Sequence, residues 1–209
     1  MAVFGQVLGG VPRKNFYRAL QALFRYLDYQ TTAGASQVGT KNGSAVTASE
    51  GGAHAFRKTT LTLVDHTVAL TDEAGVVAYL GSKVYDMPAG SILFLGAKLD
   101  LVVTKSSAGV DDDWAGFVGL GTATASNNAT LSSTEQNLCP TTATTATDGE
   151  SAMKAIATST EAAKVFANGM DVYLNVLVAD ADHDVTGTAC NLIFNGTIDI
   201  FWVPLGSIS

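Results

Sequence analysis

Alternation of apolar and polar positions is the strongest pattern in this chain, and it predicts long, half-buried β-strands. In residues 92–104 every second residue is apolar, so one face of the predicted strand carries Leu93, Leu95, Ala97, Leu99, Leu101 and Val103. A second strand is predicted near residues 171–180, where one face carries Val172, Leu174, Val176 and Val178. Further strands, separated by turns and without intervening helices, are typical of an antiparallel β-sandwich that is jelly-roll-like.

Two interruptions of the alternation predict local irregularities. In the first strand of this β region the apolar residues change parity near Asp65 and His66, which predicts a turn or a β-bulge. Asn195 and Gly196 form a typical hairpin signal, yet the apolar residues within 190–202 keep one parity across them. A hairpin would mix apolar and charged side chains on one face, so the pattern favours a continuous strand with Gly196 at a bulge or close contact.

Two segments of the β region have weaker patterns. Residues 121–149 are dominated by Thr, Ala, Ser and Asn, so we expect a surface excursion or edge strands there. Residues 151–164 combine helix-favouring composition with a β context, and both a short helix and a strand remain open.

The N-terminal region has a different, helical periodicity. Residues 12–30 place their apolar side chains on a single stripe, which is formed by Phe16, Leu20, Leu23, Phe24 and Leu27. This amphipathic helix would either cover the core of its own chain or dock on a partner or a neighbouring subunit.

Basic residues accompany this helix, and a linker follows it. Arg18 and Arg25 lie opposite the apolar stripe, and Arg13 and Lys14 lie near its start. Residues 31–56 are rich in Gly, Ser, Thr and Ala, which predicts a linker or an extended arm. The sequence thus divides into residues 1–56, a helix with an arm, and residues 57–209, a β domain. The stripe and these basic residues are the predicted partner-binding positions.

Composition and charge narrow the range of functions. The 209 residues are 47% hydrophobic and 15% charged, and the net charge is −7. Residues 1–30 hold four basic residues and one acidic residue, whereas the remainder holds 8 basic and 18 acidic residues. An acidic body repels phosphate, so we expect no nucleic-acid partner. Neither a membrane span nor a secretion signal is recognisable, so we expect a soluble protein made in a cytoplasm.

Candidate chemistry is sparse in this sequence. Asp180, Asp182 and Asp184 are weak candidates for calcium, but the EF-hand pattern requires Gly and Glu where Val185 and Asn191 stand. The spacing favours a solvated turn.

No other chemical signature is evident. His54, His66 and His183 are isolated, and no nucleophile or cofactor motif accompanies them, so we expect neither an enzyme nor a cofactor. Cys139 and Cys190 match no metal or redox spacing, which favours two buried thiols over a disulfide.

The C-terminal third resembles a recurrent ending of tailed-bacteriophage head proteins. The resemblance lies in a strand "YLN" followed by "ADAD", then "GTIDIFWVPLG", and it involves Tyr173, Leu174, Asn175, Asp180, Asp182, Gly196, Thr197, Ile198, Ile200, Trp202, Leu205 and Gly206. The segments "YDMPAGSILFLGAKLDL" and "FVGLGTATA" are also similar, so the resemblance covers roughly residues 60–206. His183, Cys190 and Pro204 depart from the pattern, and residues 1–56 lie outside it.

This resemblance implies a virion structural protein, most directly a capsid decoration or cement protein. Such a protein would be a homotrimer that binds the major capsid protein on the exterior of the virion, with no membrane partner. The alternatives are the base of a head fibre, a tail or neck component, and a carbohydrate-binding sandwich. In the last of these, Trp114 and Trp202 would line a sugar-binding face instead of filling the core.

Overall fold

Eleven strands and one short 3₁₀ helix make up a computed structural model of the chain, which describes residues 39–51, 56–73, 77–126, 129–157, 163–179 and 189–205. The strands are β1 Thr40–Lys41, β2 Val46–Gly51, β3 Arg57–Glu73, β4 Val77–Asp86, β5 Ile92–Lys105, β6 Ala115–Gly121, β7 Cys139–Thr145, β8 Glu150–Ala157, β9 Lys164–Phe166, β10 Asp171–Ala179 and β11 Cys190–Pro204. The 3₁₀ helix is Ser133–Glu135. Among the described residues, no helix has the length and hydrophobicity needed to cross a bilayer.

The strands pair antiparallel in two sheets that β3 joins. Sheet A has the order β7-β6-β10-β4, with β1 on the outer edge of β4. Sheet B has the order β3-β11-β5-β8, with β2 on the edge of β3 and β9 beside β8 along β5. Residues 57–70 of β3 pair with β11 in sheet B, and residues Thr71, Asp72 and Glu73 pair with β4 in sheet A. The predicted mainly β, antiparallel sandwich is therefore confirmed.

Both predicted interruptions lie within continuous strands, the first as a bulge of β3 and the second as a close contact of β11 with β5. Asp65 has a φ of 52°, and the pairing of β3 with β11 shifts register there. β11 runs without a break through Gly196, which has a φ of 128°. A Cβ atom at Gly196 would overlap the carbonyl oxygen of Asp100 on β5, so only glycine lets the two strands approach.

The prediction of a single apolar face along β5 is wrong at its start. From Ala97 onward the predicted residues are buried, but Leu93 and Leu95 are only partly buried, and Ile92 and Phe94 take the core positions. The cause is a bulge, since Phe201 pairs with Gly96 and the next residue of β11 pairs with Phe94. One extra residue reverses the phase of the alternation.

The core lies between the two sheets and is continuous. Its largest fully buried side chains include Trp114, Trp202, Tyr85, Phe94 and Phe194. The predicted inward faces of β10 and β11 are buried as expected, and Cys139 and Cys190 are both buried thiols. The two tryptophans fill the core and do not line a surface, which removes the observation behind a sugar-binding face.

Three segments with weak sequence patterns have defined structures. Residues 150–157 form strand β8, which settles the choice between helix and strand for that part of the segment. Part of the predicted linker lies in the sheets, because β1 and β2 belong to residues 31–56 and pair with β4 and β3. Within residues 121–149, β7 is a strand at the end of sheet A, and the residues before it cover that sheet.

Candidate functional site

Most residues that the sequence singled out for binding lie outside the described part of the chain. The apolar stripe and basic residues of positions 12–30 are among them, as are Asp180, Asp182 and Asp184. His54 and His183 lie outside it as well. Their predicted roles stay predictions.

Asp112 and His66, two of the candidate residues that the structure describes, contact other side chains of the protein. Within the described ranges, no group of three or more His, Cys, Asp or Glu residues has a geometry suited to a metal ion. Asp112 forms an ion pair with Lys105 at 2.6 Å, and the neighbouring aspartates are exposed. His66 is buried, its Nε2 lies 2.9 Å from Ser82 Oγ, and burial lowers the pKa of its imidazole. These side chains stabilise turns and packing.

A loop covers the outer face of sheet A, and Asn175 of β10 anchors it. This covering loop consists of residues 122–138, of which 127 and 128 are outside the described ranges. The Asn175 Nδ2 group donates to the carbonyls of Ala123 at 2.8 Å and Glu135 at 2.6 Å. Its Oδ1 accepts from the backbone N–H of Ala125 at 2.8 Å. Asn175 is fully buried, so the bonds to Ala125 and Glu135 are shielded from water, whereas the bond to Ala123 is partly buried.

Glycines on both sides of Asn175 make room for this loop. Gly81 of β4 and Gly119 of β6 pair with Asn175 in the sheet. A Cβ at Gly81 would overlap Asn175 Oδ1 and lie 2.7 Å from Thr124 Cα. The loop can therefore rest directly on the backbone of the sheet only where side chains are absent.

The covering loop is also stabilised by hydrogen bonds within it and by apolar side chains that face the sheet. The buried Glu135 carboxylate accepts from the Ser126 N–H at 2.8 Å and the Ser132 N–H at 2.8 Å. Ala125 and Leu131 pack against Val77 and Leu177 in a second small hydrophobic cluster. Sequence reasoning missed this function of Asn175. The available signal was an amide inside a strand whose other residues are apolar.

A second buried polar group connects the two sheets at one end of the core. Tyr85 donates its hydroxyl to Glu50 Oε1 at 2.6 Å, and Thr59 Oγ1 donates to the same oxygen at 2.7 Å. Trp202 Nε1 donates to Thr59 Oγ1 at 2.9 Å. Burial, reinforced by the Glu50 carboxylate, raises the pKa of Tyr85, so the phenol stays protonated and acts as a donor. This chain of bonds holds β2, β3, β4 and β11 together.

Ionic contacts lie at one end of sheet A and on the outer face of sheet B. In sheet A, Lys83 of β4 pairs with both Asp86 and Asp171, and these contacts raise the pKa of its ammonium group. On the outer face, Asp199 accepts from Thr60 Oγ1 at 2.6 Å and pairs with Lys58 at 3.1 Å. Partial burial favours a higher pKa for Asp199, but these bonds outweigh it and lower the pKa.

The part of that outer face next to the Lys58–Asp199 pair is apolar. Val203 of β11 pairs with Leu93 of β5, and Leu93 pairs with Val165 of β9, so their outward side chains form a row across three strands. We name the outward apolar residues in this part the outer apolar patch; they are Phe56, Leu93, Val165, Phe201, Val203 and Leu205. Of the five large hydrophobic residues that are exposed in the described ranges, all except Val64 belong to this patch.

The described residues thus form a body that is held together by internal contacts and offers one outer face for contact with a partner. One outer face of the sandwich is closed by its own loop, and the other presents a polar area beside an apolar one. An exposed apolar area of this kind typically marks an interaction site. Comparison of the chain with family models, curated proteins and solved structures finds no match in any of the three.

Proposed function

We propose that the protein is a virion structural protein that decorates the outer surface of a phage head and cements the shell. Its partner is the major capsid protein of the same virion, and its proposed assembly is a homotrimer. The observation that carries the proposal is the similarity of residues 60–206 to tailed-phage head proteins.

Two of the residues that carry this similarity have specific structural roles, which supports the similarity as a basis for the proposal. Asn175 anchors the covering loop, and Gly196 allows β11 to pass close to β5. A strand pattern alone would tolerate many residues at these positions, whereas this fold requires these two. A chain with the same two residues therefore meets two structural requirements of this β domain, in addition to the alternation of apolar and polar residues.

The body also has the mechanical character that cementing requires. A cement protein has to transmit load between capsid subunits without deforming. Here a continuous core, buried hydrogen-bond networks and a fastened loop hold the described residues in one arrangement. Several weak contacts made by one rigid body add up to strong retention, because later contacts form at high effective concentration.

The proposed capsid clamp is the N-terminal region, residues 1–56. It concentrates basic residues, namely Arg13, Lys14, Arg18 and Arg25, in a chain that is otherwise acidic. An acidic capsid surface would attract this region and repel the body, which orients the protein as it approaches.

Cryo-electron microscopy of the virions that contain this protein tests the proposal directly. We expect density for the sandwich on the shell exterior, in a copy number comparable with that of the capsid protein. Particles without this density would refute the decoration function. Copies confined to one vertex or to the tail would instead indicate a fibre base or a neck or tail component.

A rebinding experiment tests the clamp separately. Purified protein is added to particles that have lost it, and binding is compared with that of an Arg18→Ser/Arg25→Ser variant. The matched control, Lys98→Ser/Lys164→Ser, removes the same charge from residues 57–209. Weaker binding of the first variant alone supports the clamp, whereas equal weakening of both indicates a general charge effect.

A further inference from the structure

The outer apolar patch forms a compact, bounded area. The row of Val203, Leu93 and Val165 crosses β11, β5 and β9. Phe56 extends it toward β3, because it directly precedes Arg57, which pairs with Trp202. Phe56 is 65% exposed and Val165 is 51% exposed, so the ends of the row are open to solvent.

Polar residues limit the patch on the same face. Lys58 and Asp199 form an ion pair immediately beside Phe201, and Thr60 donates to Asp199. The apolar side chains therefore end within about two residues along β3 and β11, at a spacing of about 3.3 Å per residue. A confined apolar area with a polar border fits a single, specific occupant.

The described chain begins at the same end of the sandwich as the patch. A Cβ at Gly39 would lie 2.6 Å from Tyr85 Cε1, which places Gly39 beside the end of β4. The short connection 87–91 leads from there to β5, and Ser91 accepts a hydrogen bond from the Leu205 N–H at 2.9 Å. Residues before Gly39 thus enter the structure at the same end of the sandwich as Leu205 and Leu93.

We infer that the outer apolar patch binds residues 12–30 of the same chain, as an amphipathic helix whose apolar stripe faces the sheet. The dimensions agree. The stripe from Phe16 to Leu27 extends about 16 Å at about 1.5 Å per residue. The row from Phe56 to Val165 crosses four strands and extends about 14 Å at about 4.8 Å per strand.

The segment between the helix and Gly39 is long enough for the helix to reach the patch, and this covalent link favours binding within one chain. The segment from Leu27 to Gly39 spans up to about 40 Å when fully extended, at about 3.3 Å per residue. Attachment to the same chain gives the helix an effective concentration of about 1 mM at the patch, far above that of a second copy in dilute solution.

Docking in this orientation leaves the basic side of the helix exposed. Arg18 and Arg25 lie opposite the stripe and would point away from the sheet. The patch would then hold the helix while its outer side remains free to contact an acidic partner. The docking itself does not depend on the proposed role in a virion.

Thiol cross-linking of the full-length protein tests the inference. Leu23→Cys on the stripe is combined with Val165→Cys in the patch and treated with a short bis-maleimide. One matched control combines Arg25→Cys with Val165→Cys, and another combines Leu23→Cys with Val64→Cys, at an exposed position of β3 outside the patch. The native cysteines Cys139 and Cys190 are buried in the wild-type chain, and a protein without added cysteines serves as the blank.

The stripe–patch pair should react about ten-fold faster than either control, because docking raises the local thiol concentration. Mixing proteins with two tag lengths separates cross-links within one chain from those between copies. Equal rates for the three pairs would overturn the inference. Cross-links formed only between copies would also overturn it and assign the patch to a second copy.

Hydrogen exchange supplies an independent measurement if a cysteine variant folds poorly. In the full-length protein, Phe201→Ser/Val203→Thr should remove amide protection from residues 12–30, and Val64→Ser should preserve it. Unchanged protection in both variants, or no protection of residues 12–30 in the wild-type protein, would contradict the docking.

Discussion

Replacing Asn175 by Leu tests whether one buried amide fastens the covering loop to sheet A. Leu has a similar volume but makes none of the three hydrogen bonds of Asn175. The substitution leaves the carbonyls of Ala123 and Glu135 and the N–H of Ala125 without their side-chain partner. The perturbation therefore acts mainly on hydrogen bonding and little on packing volume.

The expected loss follows from the number of bonds and their burial. At about 1 kcal/mol of net stabilisation per hydrogen bond, the three bonds contribute about 3 kcal/mol to the free energy of unfolding. A group that stays buried without a partner would add more, but a loosened loop can expose these backbone groups to water, which limits the added loss to about 2 kcal/mol in total. We expect Asn175→Leu to lower the free energy of unfolding by about 3–5 kcal/mol.

Urea denaturation at a fixed protein concentration measures this loss, with tryptophan fluorescence as the signal. Asn195→Leu is the matched control, since the Asn195 amide accepts from the Asp65 N–H at 2.9 Å at an exposed position. We expect that control to lose less than about 1 kcal/mol. If Asn175→Leu loses no more than Asn195→Leu, the buried amide does not anchor the loop and our reasoning is wrong.

Three further predictions concern single positions. Gly196→Ala should lower the free energy of unfolding by about 2–4 kcal/mol in the same urea titration, because its positive φ and the Asp100 carbonyl exclude a Cβ. Burial raises the pKa of Cys139 to about 12, so neither it nor Cys190 should react with Ellman's reagent at about pH 8 until the protein unfolds. Burial lowers the pKa of His66 below 6.5, so protonation favours the unfolded chain. Stability should therefore fall as the pH drops from about 7 to about 5, and His66→Gln should flatten that dependence in urea titrations at each pH.

Strand positions could be predicted from the sequence because each strand buries one face. The parity of β11 and the bulge at Asp65 were recognised from the same rule. The rule failed at the start of β5, since Leu93 and Leu95 are apolar although they are only partly buried. A bulge at Gly96 changes which residues of β5 face the core. Apolar residues alternate on both sides of this glycine, so the sequence does not indicate that change.

The covering loop could not be predicted, for a different physical reason. Its composition is polar, and sequence reasoning assigns such a segment to the surface. Its position depends on contacts between residues far apart in the chain, such as the bond from Asn175 to Ala123. Local pattern contains no information on which distant amide meets which carbonyl. The predicted partner-binding residues of positions 12–30 and the acidic residues at 180–184 lie outside the described ranges, so they stay predictions.

The two outer faces of the sandwich are unequal, and this inequality restricts how the protein can be used. On sheet A, Ala125 and Leu131 of the covering loop already cover the outward apolar side chains of Val77 and Leu177. On sheet B, Phe201 and Val165 remain exposed at the end where the chain enters. A partner that gains energy by burying apolar surface therefore gains more on sheet B. Occupation of that site by the N-terminal helix would turn an apolar face into a basic one, and the protein would then select acidic partners by charge instead of apolar partners by burial.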